Sequence, residues 1–160
     1  MLLSTGHSMG QTIMAGELII CTKASRNYTV GDVVLFYLPD GRLCVHRILY
    51  ILMGKAFVCG DNASYGHWVK LEDIHGLISV IINVQHKKSY SLRPVSRKEL
   101  VMLRKTLIRR RFFNLLFRKT PLWNKYLPLV IAMNQKNNQW QDSLRIPLSS
   151  PTSSSQNKEV

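Results

Sequence analysis

Residues 32–53 have the sequence DVVLFYLPDGRLCVHRILYILM, and this stretch decides the fold. Asp32–Leu38 is rich in Val, Phe and Tyr, which are enriched in β-strands. Pro39-Asp40-Gly41 is a strong turn signal. Leu43–Met53 continues as a second, longer apolar run. The stretch therefore predicts a β-hairpin that carries His46 on its second strand.

Further short apolar runs lie on both sides of this hairpin. Glu17–Thr22 precedes it, and Ala56–Cys59 and Leu77–Val84 follow it. Polar or glycine-containing segments separate the runs, and none of them shows the spacing of a strand–helix–strand unit. We therefore predict a mainly β fold that is built from antiparallel strands.

A candidate catalytic serine precedes the first of these runs. Gly6-His7-Ser8-Met9 predicts a short turn that presents Ser8. A serine hydroxyl is a poor nucleophile near neutral pH and needs a base within hydrogen-bond reach. His46 is the candidate base, and Asp61 is the candidate that would orient the His46 ring. The ordinary histidine pKa of about 6.5 predicts that activity falls as the pH drops through that value.

These segments, taken in order, resemble the signal peptidase I family of serine endopeptidases. The resemblance covers roughly residues 6–82, about half of the chain. The matching blocks are Gly6-x-Ser8-Met9, Thr12-Ile13, Gly16-Glu17-Leu18-Ile19-Ile20, Gly31-Asp32-Val33-Val34, Val45-His46-Arg47-Ile48 and Gly60-Asp61-Asn62. Because the base is a histidine in a Val-His-Arg-Ile context and not a lysine, the chain resembles the endoplasmic-reticulum and archaeal-like branch.

The resemblance implies an antiparallel β fold of the signal-peptidase and LexA-like type. It also implies cleavage of leader or signal peptides that have small residues before the cut. In that mechanism Ser8 attacks the scissile carbonyl, His46 takes the Ser8 proton, and Asp61 fixes the imidazole tautomer. The Ser8 backbone N–H would be one oxyanion donor. The resemblance implies neither a metal nor a cofactor.

The chain departs from the family pattern at three positions. Gly6 stands where some members have a serine whose hydroxyl helps to hold the oxyanion, and Gln11 stands where many members have proline. His67 stands where the histidine branch often has a second aspartate. These departures favour an alternative function, a non-catalytic binding module on the same β scaffold. A LexA-type repressor is a third interpretation, but the sequence shows no separate DNA-binding domain.

The three cysteines, Cys21, Cys44 and Cys59, are widely spaced and form no C-x-x-C pair. This spacing indicates neither a zinc site nor a disulfide framework, so we expect small buried side chains in strands. Cys44 precedes His46 by two residues, and Cys59 precedes Asp61 by two. In strands each of these pairs shares a face, which would bring both thiols to the site.

The net charge of the 160-residue chain is +13, and it is unevenly distributed. Residues 1–86 have six basic and six acidic side chains, whereas residues 87–125 have thirteen basic side chains and one acidic side chain, Glu99. A chain of this length can form one domain with a substantial core. We predict a peptidase-like β domain over residues 1–86, a basic, apolar helical appendage over residues 87–133 and a disordered tail over residues 134–160.

The basic segment also predicts a helix and a partner. Ser96 followed by Glu99 is a capping-box pattern, and no glycine or proline occurs from Arg97 to Lys119. The basic residues alternate with apolar ones, which a solvated helix face would avoid. The apolar residues are Phe112, Phe113, Leu115, Leu116, Phe117 and Trp123. An anionic membrane surface or a membrane partner protein would suit both the basic and the apolar residues, whereas nucleic acid would explain only the charge. We therefore do not expect nucleic acid as a partner.

The amino-terminal residues predict no secretory signal peptide, because Met1-Leu2-Leu3 is too short for its apolar region. No apolar run approaches the ~20 residues that cross a bilayer as a helix. The sequence therefore predicts peripheral association with a membrane, with a cytoplasmic location as the alternative.

Overall fold

The computed structural model describes residues 1–23, 27–117 and 123–148. Within those ranges it contains nine strands and two α-helices. The strands are β1 (Leu2–Leu3), β2 (Leu18–Lys23), β3 (Val33–Tyr37), β4 (Leu43–Leu52), β5 (Lys55–Cys59), β6 (Gly66–Lys70), β7 (Ile74–Asn83), β8 (Lys88–Leu92) and β9 (Arg145–Pro147). The helices are α1 (Arg97–Phe117) and α2 (Trp123–Asp142). A short 3₁₀ turn, Leu71–Asp73, joins β6 to β7.

The described strands form one sheet in which every pair is antiparallel. The strand order is β1-β2-β7-β3-β4-β5-β6, and β8 and β9 extend the sheet from β7. The sheet curls into a half-barrel. The predicted mainly β, antiparallel fold is therefore confirmed.

The predicted hairpin of residues 32–53 is formed by β3 and β4. Val34 pairs with His46, and Tyr37 pairs with Leu43 at the closed end. Gly41 in the turn has φ of +80°, a left-handed conformation that glycine adopts at little steric cost. This register fixes the position of His46 along β4, opposite Val34 of β3.

β3 separates two hydrophobic cores, because successive side chains of a strand point to opposite faces. One core includes Val34, Phe36, Ile48, Val58 and Val69, and the other includes Val33, Leu35, Ile19, Ile78 and Ile81. Met9 and Ile13, from the loop that carries Ser8, are buried in the second core. Their burial anchors the Ser8 loop to the sheet.

The C-terminal residues belong to the same fold, which corrects the predicted domain organisation. β8 pairs with β7, so the sheet continues past the predicted boundary at residue 86. α2 continues to Asp142 and β9 pairs with β8, so residues 134–148 are not the predicted disordered tail. Local composition could not show this, because β9 is stabilised by pairing with a strand far away in sequence. The rest of that tail, residues 149–160, lies outside the described residues.

α1 begins at the predicted capping box. The Glu99 N–H donates to Ser96 Oγ (3.3 Å), and the Ser96 N–H donates to Glu99 Oε2 (2.8 Å). One face of the helix is buried, where Leu103 packs against Leu49 and Cys59 of the sheet. The basic segment is thus partly built into the fold. Within the described ranges, no helix is long and apolar enough to cross a membrane.

Candidate active site

Ser8 lies in a loop of tight turns between β1 and β2. The two ends of the loop are tied together, because the Ser4 N–H donates to Glu17 O (2.8 Å). Gly10 has φ of +57°, and its N–H donates to His7 O (3.1 Å). These backbone contacts, with the buried anchors described above, hold the Ser8 loop in place.

The loop after β5 fixes the position of the Ser8 backbone. The Asn62 N–H donates to Ser8 O (2.7 Å). A Cβ at Gly60 would lie 2.4 Å from Ser8 O and 2.8 Å from Ser8 Cβ, closer than such atoms can approach. Glycine at position 60 is therefore needed for the close contact between the two loops.

The structure brings Ser8 and His46 together: Ser8 Oγ lies 3.2 Å from His46 Nε2. The histidine is 5% exposed. Burial is the main cause that lowers the pKa of His46 to about 4, and the nearby His67 lowers it further. The charge of Asp61 acts in the opposite direction. The ring is therefore neutral near pH 7, the form that can accept a proton from the Ser8 hydroxyl.

Cys44 also contacts the candidate base, with its Sγ 3.4 Å from His46 Nε2. Burial raises the pKa of the Cys44 thiol, so it stays protonated near neutral pH. Cys59 instead donates to Tyr65 O (3.2 Å) and packs beneath α1. Of the two thiols expected at the site, Cys44 alone reaches His46, where it shares Nε2 with the Ser8 hydroxyl.

The predicted hydrogen bond between Asp61 and His46 is absent, and this corrects the predicted role of Asp61. Arg47 Nε donates to Asp61 Oδ1 (2.9 Å), and Arg47 Nη2 donates to Oδ2 (2.7 Å). Thr12 Oγ1 also donates to Oδ2 (2.7 Å). Among the described residues, the buried His46 Nδ1 has no hydrogen-bond partner. Successive strand residues face opposite sides, so Arg47 reaches Asp61 while His46 reaches Ser8.

Side chains from α1 and α2 support both loops of the site. Arg110 Nη1 and Asn137 Nδ2 both donate to Asp61 O, at 3.0 and 3.1 Å. The Gln11 N–H donates to Gln141 Oε1 (2.7 Å), across 130 residues of sequence. Sequence reasoning missed these supports, because nothing in the local pattern around Asn137 or Gln141 indicates such distant partners.

A cavity of about 370 Å³ opens beside Ser8. Its lining is largely apolar and includes Met9, Ile13, Leu35, Leu43 and Val45. Ile19, Leu38, Arg42, Cys44 and the amino-terminal residues 2–6 also line it. A cavity of this character next to a nucleophile suits apolar side chains of a bound peptide.

The side chains of Ser8 and His46 and the Ser8 backbone N–H form the parts of a nucleophilic site. A hydroxyl and a neutral imidazole lie within hydrogen-bond reach, as nucleophilic catalysis requires. Among the described residues, no acceptor takes the Ser8 backbone N–H, so it is free to donate to an oxyanion. This arrangement can attack a carbonyl carbon and stabilise the charge that develops on its oxygen.

Within the described ranges, no group of three or more His, Cys, Asp and Glu side chains is placed to hold a metal ion. Comparison with protein-family models, with curated proteins and with solved structures found no match to this chain.

Proposed function

We propose that this chain is a serine endopeptidase that resembles signal peptidase I and cleaves leader or signal peptides with Ser8 and His46. The observation that carries the proposal is the 3.2 Å distance between Ser8 Oγ and His46 Nε2. The lowered pKa of His46 keeps the imidazole neutral, as a general base must be, but the same burial makes it a weak base, so the distance and not the pKa carries the proposal. The ordered sequence blocks described above add a family context.

In the proposed reaction, Ser8 Oγ attacks the scissile carbonyl carbon while His46 Nε2 takes the hydroxyl proton. The Ser8 backbone N–H donates to the oxyanion of the tetrahedral intermediate. His46 then gives its proton to the leaving amine, and the acyl group stays on Ser8. Water, deprotonated by His46, releases that acyl group. Asp61 takes no direct part, so the catalytic group is a serine–histidine pair.

The cavity beside Ser8 supports a peptide substrate. Its lining includes residues 2–6 of the amino terminus and Leu43 and Val45 of β4. An extended peptide that lies between them would place its side chains against the apolar lining. The preference for small residues before the cut comes from the resemblance to signal peptidases, and a cavity of about 370 Å³ can hold such side chains.

The second candidate function is a non-catalytic binding module on the same scaffold. Two observations favour it: Asp61 is bound by Arg47, and His46 Nδ1 has no partner among the described residues. A binding module would hold a peptide in the cavity beside Ser8 without cutting it. The serine hydroxyl would then be dispensable.

Replacement of Ser8 by alanine separates these two candidates. A fluorogenic leader-type peptide with alanines before the cut is incubated with the wild type, Ser8→Ala and the neighbouring control His7→Ala. The proposal predicts cleavage by the wild type and by His7→Ala, and none by Ser8→Ala at an unchanged melting temperature. Equal cleavage by Ser8→Ala, or binding of the peptide by all three proteins without cleavage, would reject the endopeptidase.

We also propose that α1 attaches the protein peripherally to an anionic membrane surface. Val101, Ile108, Phe112 and Leu115 form an apolar stripe on this helix, between 45% and 80% exposed. At 3.6 residues per turn the stripe lies within an arc of about 60°. Such a stripe on a surface helix requires a partner, because large apolar side chains rarely remain grouped in water.

Basic side chains flank this apolar stripe on both sides. Lys105 and Arg109 lie along one edge, Arg111 lies along the other, and all three are exposed. No described carboxylate forms an ion pair with them. A second copy of the chain would bring like charges together, whereas an anionic membrane accepts both apolar and basic side chains. Among the other apolar residues that the sequence suggested as membrane anchors, Phe113 is half-buried. The side chains of Leu116, Phe117 and Trp123 are not among those that the structure describes.

Co-sedimentation with vesicles tests this attachment. Binding to vesicles with anionic lipid should exceed binding to neutral vesicles. It should weaken with salt, because the Debye length falls from ~10 Å at ~0.1 M to ~3 Å at ~1 M. Lys105→Glu with Arg109→Glu should reduce binding, while Lys55→Glu, a charge reversal away from α1, should not. Equal binding to both vesicle types, or none to either, would favour a partner protein.

A further inference from the structure

A second, larger cavity of about 690 Å³ follows the length of β6. Its lining includes Phe36, Tyr37, His67, Trp68, Val69 and His75. Phe36 and Val69 are buried core residues, whereas Tyr37 and Trp68 are each 54% exposed. The cavity, called the β6 cleft below, thus combines a buried apolar part with exposed aromatic side chains.

The β6 cleft lies along an edge of the sheet. Among the described strands, β6 is bonded to β5 alone. An edge strand presents unpaired backbone N–H and C=O groups, which an extended peptide can bind as an added strand. β6 has five residues, which at ~3.3 Å per residue span ~17 Å. Its length therefore suits an extended segment of about five residues.

The β6 cleft adjoins the candidate base. The His67 ring, which lines the cleft, stacks on the His46 ring with centroids 6.1 Å apart and planes 13° apart. Leu38 lines both the cleft and the cavity beside Ser8. In the proposed reaction His46 delivers a proton to the leaving amine, so the leaving part of the peptide must pass the histidine.

We infer that the β6 cleft binds the part of the peptide substrate that follows the cut bond, as a strand added to the free edge of β6. The inference rests on the proposed endopeptidase function. Apolar or aromatic side chains of this segment pack against Tyr37 and Trp68. The cavity beside Ser8 holds the residues before the cut. Leu38 lies between the two halves of the bound peptide.

A peptide series that differs only after the cut tests the inference. All members have three alanines before the cut. The three members differ after the cut. The first has two residues there, the second has five residues that alternate Ala and Phe, and the third has five residues with proline at alternate positions. The five-residue segment should raise kcat/KM at least about tenfold over the two-residue one, as expected for a few added backbone hydrogen bonds. Proline should abolish the gain, because it lacks the N–H that strand pairing needs.

Variants of the aromatic side chains identify the place where the segment binds. Tyr37→Ala combined with Trp68→Ala should remove most of the gain from the longer segment. Tyr50→Ala, which removes an exposed aromatic ring outside the β6 cleft, should keep it. A rate that is independent of length after the cut, or an equal gain with the proline peptide, would overturn the inference.

A binding measurement separates this inference from the proposed function. The five-residue Ala/Phe peptide is titrated by NMR into Ser8→Ala protein, which cannot form an acyl-enzyme. Binding that is weakened by Tyr37→Ala with Trp68→Ala supports the β6 cleft, even if no peptide is cut by the wild type. No binding, or binding that these substitutions leave unchanged, overturns it, even if the wild type cleaves the two-residue peptide.

Discussion

Replacement of Asp61 by asparagine separates a structural role of this side chain from a catalytic one. The substitution keeps the size of the side chain and removes its charge. The Asp61 and Arg47 side chains are each 1% exposed, and both carboxylate oxygens accept hydrogen bonds from Arg47. Asp61→Asn therefore leaves a guanidinium buried without a counter-charge. Breaking a buried ion pair in this way costs about 3–5 kcal/mol, a large part of a typical total stability of about 5–15 kcal/mol.

Thermal unfolding followed by circular dichroism measures this loss. At about 3 °C per kcal/mol for a chain of this size, the melting temperature should fall by about 9–15 °C. The turnover number should change far less, when it is measured at a temperature at which the variant remains folded. Asparagine in place of an aspartate that orients the catalytic histidine lowers kcat about 10⁴-fold in serine proteases. Because Asp61 forms no hydrogen bond with His46, we expect a change below about tenfold.

Asp40→Asn is the matched control, because it breaks the exposed ion pair of Asp40 with Arg42. Exposed pairs often contribute nothing measurable, so the melting temperature should be unchanged. An Asp61→Asn protein with the melting temperature of the wild type and a kcat about 10⁴-fold lower would refute the reasoning. Asp61 would then orient His46 during catalysis.

Three further predictions follow from the geometry of the site. First, kcat/KM should stay level from about pH 8 to about pH 5 and fall near pH 4. His46 must be neutral to accept a proton, and its lowered pKa of about 4 keeps it neutral above that pH. A fall of kcat/KM centred on about pH 6.5 would contradict this. Second, Gly60→Ala should lower kcat/KM about 10²-fold by displacing Ser8, because its Cβ would lie 2.4 Å from Ser8 O; an unchanged kcat/KM in a peptide assay would count against the loop contact. Third, truncation after Ser96 should abolish cooperative unfolding and activity, because it removes α1, α2 and β9; a cooperative transition by circular dichroism together with retained peptide cleavage would contradict this.

The hairpin of β3 and β4 could be predicted because its signals are local. A turn sequence separates two β-rich runs, and the alternation along β3 places Val34 and Val33 in different cores. The proximity of Ser8 to His46 was also expected, but from the resemblance to a family and not from the residues alone. No local pattern could supply the distance between two segments that are 38 residues apart.

The partner of Asp61 could not be predicted, because His46 and Arg47 are adjacent and both can bind a carboxylate. Which of them faces Asp61 depends on the side of β4 on which the loop after β5 folds. The C-terminal strands were missed for a related reason. β8 has only two apolar residues, Tyr90 and Leu92, and the three residues of β9 end in proline. Their pairing is stabilised by long-range contacts, including the ion pair of Arg145 with the buried Glu17.

The central claim, that Ser8 is a nucleophile activated by His46, is tested most directly by trapping the acyl-enzyme. The wild type, Ser8→Ala and Cys44→Ala are mixed with an activated alanyl-peptide ester, quenched with acid within the first turnover and analysed by intact-protein mass spectrometry. The account predicts one added acyl group on the wild type and on Cys44→Ala, located on Ser8 by peptide mapping, and none on Ser8→Ala. An acyl group on Cys44, or acylation that persists in Ser8→Ala, would contradict it.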